Sequence, residues 1–114
     1  AESADYFAFL DIMPLAPGHT LLVPKVEVDY NFDADDDLLS GMLPFAKKIA
    51  AALEKAVPCQ RIGISVIGLE VPHAHIHLIP LRTMDDINFS RPKLNMSSLE
   101  LSSMAESIRS HLIL

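Results

Sequence analysis

One cysteine, Cys59, stands among the 114 residues. No internal disulfide can form, and a zinc site built from several cysteines is excluded within the chain. Basic residues are also scarce: nine Lys and Arg against fifteen Asp and Glu give a formal charge of −6. A partner gripped through a nucleic acid backbone needs clustered Lys and Arg, so no nucleic acid polymer is expected. A single small phosphate stays admissible, because a few amides and imidazoles can hold it locally. No apolar run approaches the roughly 18 residues that span a membrane, so no membrane partner is expected. No basic start leads into an apolar stretch and a cleavage site. With the lone thiol, these absences point to a cytoplasmic protein. Half of the residues are apolar, which suits one packed domain over residues 1–114.

What the chain has in unusual supply is local. Three of its five histidines fall in Val71-Pro-His-Ala-His-Ile-His-Leu-Ile-Pro80. In an extended strand successive side chains alternate faces. His73, His75 and His77 are then expected on one face, and Ala74, Ile76 and Leu78 on the other, toward a core. Histidines two apart lie about 6.6 Å from each other along a strand and four apart about 13 Å. One ion can therefore take two of them with outside ligands, but not all three. The alternative is chemistry by the imidazoles. His75, flanked on both sides, is the candidate nucleophile toward phosphorus or a carbonyl, with a backbone carbonyl fixing its tautomer. His77 would donate to a phosphate oxygen, and His73 would orient the site or assist proton transfer. Backbone N–H groups at Glu70 and Val71 would add anion donors.

The rest of the chain supplies a frame. Residues 5–12 read as a strand from their aromatic content, with Phe7, Phe9 and Asp11 on one face. Phe7 and Phe9 are expected in the core. Met13-Pro-Leu-Ala-Pro-Gly18 is a turn, and residues 19–23 form a second strand antiparallel to the first. Residues 26–32 read as a loop with a helical turn. The acidic run at Asp33, Asp35, Asp36 and Asp37 marks the start of a helix from about Asp35 to Ala56. Leu39, Met42, Ala46, Ile49, Leu53 and Ala56 form its apolar stripe, and Pro44 predicts a kink or a broken first turn near Ser40-Gly41. Residues 61–69 and 73–81 are the third and fourth strands. Ser97 or Ser98, helped by Glu100, caps a last helix reaching about Leu112.

His73-Ala-His-Ile-His-Leu-Ile79 resembles the signature of the histidine triad (HIT) family, His-φ-His-φ-His-φ-φ with φ apolar. Phe9-Leu-Asp-Ile-Met-Pro14 followed by Gly18-His-Thr-Leu-Leu-Val-Pro-Lys25 is similar to that family's first block, in the right order. The resemblance covers residues 5–81 and is nearest to the Hint-like branch. It implies an α+β, HIT-like fold: an antiparallel sheet of about five strands, a long central helix and a C-terminal helix, often as a homodimer. It implies a nucleotide hydrolase or transferase acting at an α-phosphate of a phosphoramidate or dinucleoside polyphosphate, with a purine nucleotide as substrate and no tightly bound cofactor. His75 then becomes transiently nucleotidylated. Asp11 matches the position that binds the ribose hydroxyls, Phe9 and Ile12 line the base pocket, and His19 matches the histidine near the triad. Glu70 and Val71 match the segment that meets the phosphate.

The pattern departs from the family at two places. Leu69 stands where Gln is frequent, and residues 62–67 offer only Ser65 where an Asn is frequent. The family's N-terminal segment is also expected to be missing. Two readings of other classes follow: a nucleotide-binding regulatory protein with feeble catalysis, and a two-His metal-binding protein.

Overall fold

A computed structural model describes residues 1–113. Four strands, β1 (Tyr6–Leu10), β2 (Thr20–Pro24), β3 (Arg61–Ser65) and β4 (Ile76–Leu81), form one sheet in the order β1-β2-β4-β3. Every neighbouring pair is antiparallel. Two helices, α1 (Asp36–Ala56) and α2 (Ser98–Arg109), complete the α+β architecture. Among the described residues no helix is long and apolar enough to cross a membrane.

The sheet has a core face and an open face. Tyr6, Ala8, Leu22, Ile76 and Leu78 pack with Met42, Phe45, Ala46, Ile49, Ala52 and Leu53 of α1. This is the period-2 stripe of the strands meeting the 3.6-period stripe of the helix. The other face carries Phe7, Phe9, Leu21, Val23 and His77. Its far end is closed by a second cluster in which Leu15, Ala16 and Ile79 pack with Leu81, Ile87 and Phe89.

Local chemistry explains the helix ends. Asp35 Oδ1 accepts the Leu38 N–H at 2.8 Å, and two more aspartates occupy the first turn of α1, where the macrodipole favours negative charge. Ser97 and Glu100 form a reciprocal capping box on α2, as expected from the sequence.

Several boundaries differ from expectation. The sheet has four strands rather than about five; the nearest thing to a fifth is a single bridge, Glu2 to Phe7, where residues 1–3 fold back along β1. The helix α1 runs unbroken through Pro44. Pro44 removes one donor, to the carbonyl of Ser40, and both residues are solvent-exposed, so water can take the place of the missing bond. Gly41 instead serves packing, since a Cβ there would overlap Tyr6 Oη. That hydroxyl bonds the Leu38 carbonyl at 2.6 Å and ties β1 to α1. The third strand ends at Ser65, and α2 ends at Arg109, three residues short of Leu112. The fourth strand begins at Ile76, so neither His73 nor His75 is in it.

Candidate active site

His77 lies within β4, opposite Leu21 on one side and Ser65 on the other. His75 precedes the strand, yet its ring lies beside that of His77, with centroids 4.9 Å apart at 73°. The expected shared face thus holds for these two. The Val26–Phe32 loop and the Pro24 carbonyl, rather than a β-ladder, hold the preceding residues. Ala74 N–H bonds the Val28 carbonyl at 2.5 Å, and His73 Nε2–H bonds the Pro24 carbonyl at 2.8 Å.

Hydrogen-bond partners assign the tautomers, since a carbonyl only accepts and a backbone N–H only donates. The carbonyl of His73 receives His75 Nδ1–H at 2.7 Å. A neutral His75 therefore carries its lone pair on Nε2. The Leu15 N–H donates to His19 Nδ1 at 3.0 Å, so a neutral His19 holds its proton on Nε2. That proton bonds His77 Nδ1 at 2.9 Å, which puts the His77 proton on Nε2. A backbone amide in the Met13–Gly18 turn thus sets the direction of a two-histidine chain ending at the open face. Phe89 closes over that chain, edge-on to His77 at 4.7 Å and to His19 at 6.2 Å.

Burial keeps the pair neutral. His19 is 1 % exposed and His77 8 %. Desolvation lowers the His19 pKa against an opposing pull from Asp11. It also lowers that of His77 to about 4, with further lowering from the neighbouring His19 and His75 charges. The unfolded chain therefore binds a proton below pH 6.5 that the folded chain refuses until about pH 4. Stability is expected to fall as pH drops through that window, by about 1.4 kcal/mol per pH unit for His77 alone, with His19 acting in the same direction. Urea midpoints at pH 7.0, 6.0 and 5.0 measure it; a flat profile would rule it out.

Asp11, just past β1, lies beside this pair. Its Oδ1 accepts the Met13 N–H at 2.8 Å, and its Oδ2 stands 3.7 Å from His19 Nε2. Among the described residues, Asp11, His19 and His77 bring their ligand atoms within 4.8 Å of one another. They do not suit a metal ion. Binding at His19 Nε2 would move its proton to Nδ1, where it would meet the Leu15 N–H donor head-on. His73 and His75 are outside this set.

A cleft of about 250 Å³ opens beside the histidines, bounded by Phe7, Phe9, Val23, Lys25, Val71, His73 and His75. Phe7 and Phe9, expected in the core, are 41 % and 49 % exposed, because their side of β1 faces this cleft rather than α1. Ile12 and Glu70 are exposed and outside the cleft wall, whereas Val71 belongs to it. Leu69 is 88 % exposed. Three contributors carry no sequence signal of their own: the Leu15 backbone amide, Phe89, and Asn31, whose side chain bonds the His75 backbone. Asn31 opens a one-turn 3₁₀ helix, Asn31–Asp33; a helical turn is expected there, but no sequence signal marks the inward direction of the Asn31 side chain.

An antiparallel α+β sheet with paired histidines at the start of its inner strand defines a histidine triad protein. The HIT domain family model matches residues 1–84, and the chain belongs to that family. Over 97 residues it is 38 % identical to a HIT-like protein of Borreliella burgdorferi, covering 78 % of this chain and 70 % of that one. Over 83 residues it is 41 % identical to an adenosine 5'-monophosphoramidase of Saccharomyces cerevisiae, covering 71 % of this chain and 52 % of that protein. The chain thus spans about half the length of the yeast relative. A Hit-like protein from Bartonella henselae, described as involved in cell-cycle regulation, superposes with a TM-score of 0.83 at 32 % identity, covering 98 % of this chain and 84 % of that one.

Proposed function

We propose that the protein is a nucleotide hydrolase or transferase that works through a nucleotidyl-His75 intermediate. The observation that carries this reading is the His75 Nδ1–H bond to the His73 carbonyl, which leaves Nε2 as a nucleophile held in one orientation. Nε2 attacks the α-phosphorus, and the bond from phosphorus to the leaving group breaks. Water then attacks the phosphorus, the P–Nε2 bond breaks, and a nucleoside monophosphate leaves. His77 Nε2–H donates to a non-bridging oxygen as charge develops. His73 positions rather than attacks, because its own Nε2–H is committed to Pro24 and its carbonyl to His75.

A purine nucleotide fits the apolar, aromatic cleft. Phe9 stands at its wall, and Ile12 is an exposed apolar side chain three residues further along the chain. The Oδ2 of Asp11 remains available to a ribose hydroxyl, and the Glu70-Val71 backbone would meet the phosphate, Val71 being part of the cleft wall. The yeast relative's activity makes a nucleoside phosphoramidate the first substrate to try. Incubation with an adenosine phosphoramidate, acid-free quenching and mass spectrometry should find an adenylyl group on His75. Nucleotide binding with no adduct and no turnover would favour a regulatory binding protein instead, a reading supported by the exposed apolar Leu69 where an amide would help.

The homodimer belongs to the same proposal. Among the described residues the outer edge of β3 has no strand partner, and Ile64, Val66 and Ile67 are exposed on and after it. Such an edge is a template for a second copy. Sedimentation velocity at micromolar concentration should show a dimer; a stable monomer would remove this part.

A further inference from the structure

The backbone of His75 lacks a strand to pair with. β4 pairs with β2 only over Ile76–Leu78, and with β3 only from His77 onward. His75 is nevertheless buried, at 7 % exposure, and buried peptide groups need partners. Asn31 supplies both. Its Oδ1 accepts the His75 N–H at 3.0 Å, and its Nδ2–H donates to the His75 carbonyl at 3.3 Å. One side-chain amide thereby supplies the acceptor and the donor that a residue of a neighbouring strand would offer.

The residues around Asn31 sharpen the point. Tyr30 and Phe32 are 58 % and 74 % exposed, so this turn sends its aromatics outward and its polar residue inward. That inverts the usual ordering of apolar inside and polar outside. The turn is itself anchored: Ala34 N–H returns to the Asn31 carbonyl, and Asp35 then caps α1. Asn31 is therefore fixed to the rigid end of a long helix.

We propose that Asn31 is a positioning residue for the nucleophile. By holding the two peptide groups that flank the His75 Cα, one through its N–H and the other through its carbonyl, it fixes where the ring projects and so the line on which Nε2 meets phosphorus. This inference rests on the reading of His75 as the nucleophile. Nucleophilic attack needs a near-attack geometry, and a displacement of about 1 Å costs on the order of 10²-fold in rate. Asn31 touches no substrate atom in this account, so its effect belongs in the chemical step and not in binding.

The test uses the full chain with Asn31→Leu and Asn31→Asp and an adenosine phosphoramidate. Leu removes both bonds; Asp keeps the acceptor for the His75 N–H and loses the donor. In Asn31→Leu, kcat and the single-turnover rate of adenylyl-His75 formation should fall together, on the order of 10²-fold, with KM within threefold. Asn31→Asp should lie between Asn31→Leu and the wild type. A role in folding alone would lower the melting temperature without this ordered loss of kcat in protein that circular dichroism shows folded. Adduct formation at the wild-type rate in Asn31→Leu overturns the inference while leaving His75 as nucleophile. Should Asn31→Leu not fold, Asn31→Asp decides alone: a wild-type kcat overturns the inference and a reduced kcat at unchanged KM supports it. Absence of any adduct on wild-type His75 overturns this inference and the proposed function together.

Discussion

Replacing His75 with Ala should lower turnover of an adenosine phosphoramidate by about 10⁴-fold or more, while nucleotide affinity stays within a few-fold. Removal of a covalent nucleophile costs that order, because the two easier steps through the intermediate disappear and only binding and electrostatic stabilisation remain. Affinity should survive because His75 is one of nine residues that wall the cleft, and the apolar ones, Phe7, Phe9, Leu21, Val23, Pro24 and Val71, stay in place. Steady-state kinetics and calorimetric titration with a nucleoside monophosphate give the two halves of this result. Turnover within tenfold of the wild type would sink the assignment of His75. Equal losses of affinity and turnover would mean that the ring serves binding, and the regulatory reading would gain.

His73→Ala should behave differently, and the contrast separates attack from support. The His73 ring bonds Pro24, whereas the group it offers His75 is its backbone carbonyl. Alanine keeps that carbonyl. The three histidines are equal in the sequence pattern but have unlike partners in space: a carbonyl from β2, a carbonyl two residues upstream, and another imidazole.

The legible parts of the fold were those with long periodicity or defined cap chemistry. The apolar stripe of α1, the Asp35 start, the Ser97-Glu100 box and the antiparallel β1–β2 pair all follow from side chains that act within a few residues of themselves. The start of β4 was not legible. Alternation from His73 to Leu78 satisfies a strand, but strand assignment needs a partner's backbone bonds, and the pairing with β2 stops at Ile76 although β2 runs on to Pro24. The capture of Ala74 and His75 by the Val26–Phe32 loop is long-range and involves a carbonyl and one amide side chain. Phe7 and Phe9 face the cleft rather than the core for a related reason: hydrophobicity says that a face wants cover, not whether protein or ligand provides it. The row of histidines was legible as a site, whereas the control of its tautomers by Leu15 and His19 was not, because a backbone amide has no letter in a sequence.

That control carries the second large effect. His19→Leu should cut kcat by about 10³-fold with little change in KM, although residue 19 is buried behind His77. Loss of one preorganised donor to developing charge costs roughly 10²–10³-fold. In the wild-type chain the Leu15 N–H forces His19 to donate, and His19 forces the His77 proton onto Nε2. Leucine breaks the chain at its middle. His77 is then free to carry its proton on Nδ1, which turns the Nε2 lone pair toward the phosphate and replaces attraction by repulsion. The same change orphans the Leu15 amide, so stability should fall by about 1–3 kcal/mol; the kinetic comparison belongs at a temperature where the variant is folded. Nitrogen-15 NMR of the imidazoles reads the cause directly: the wild-type His77 should show a protonated Nε2 and an unprotonated Nδ1, and the variant a mixture. An unchanged His77 tautomer with unchanged kcat would refute the relay. An unchanged tautomer with lowered kcat would place the role of His19 in packing against Phe89 and His77 rather than in the direction of their hydrogen bonds.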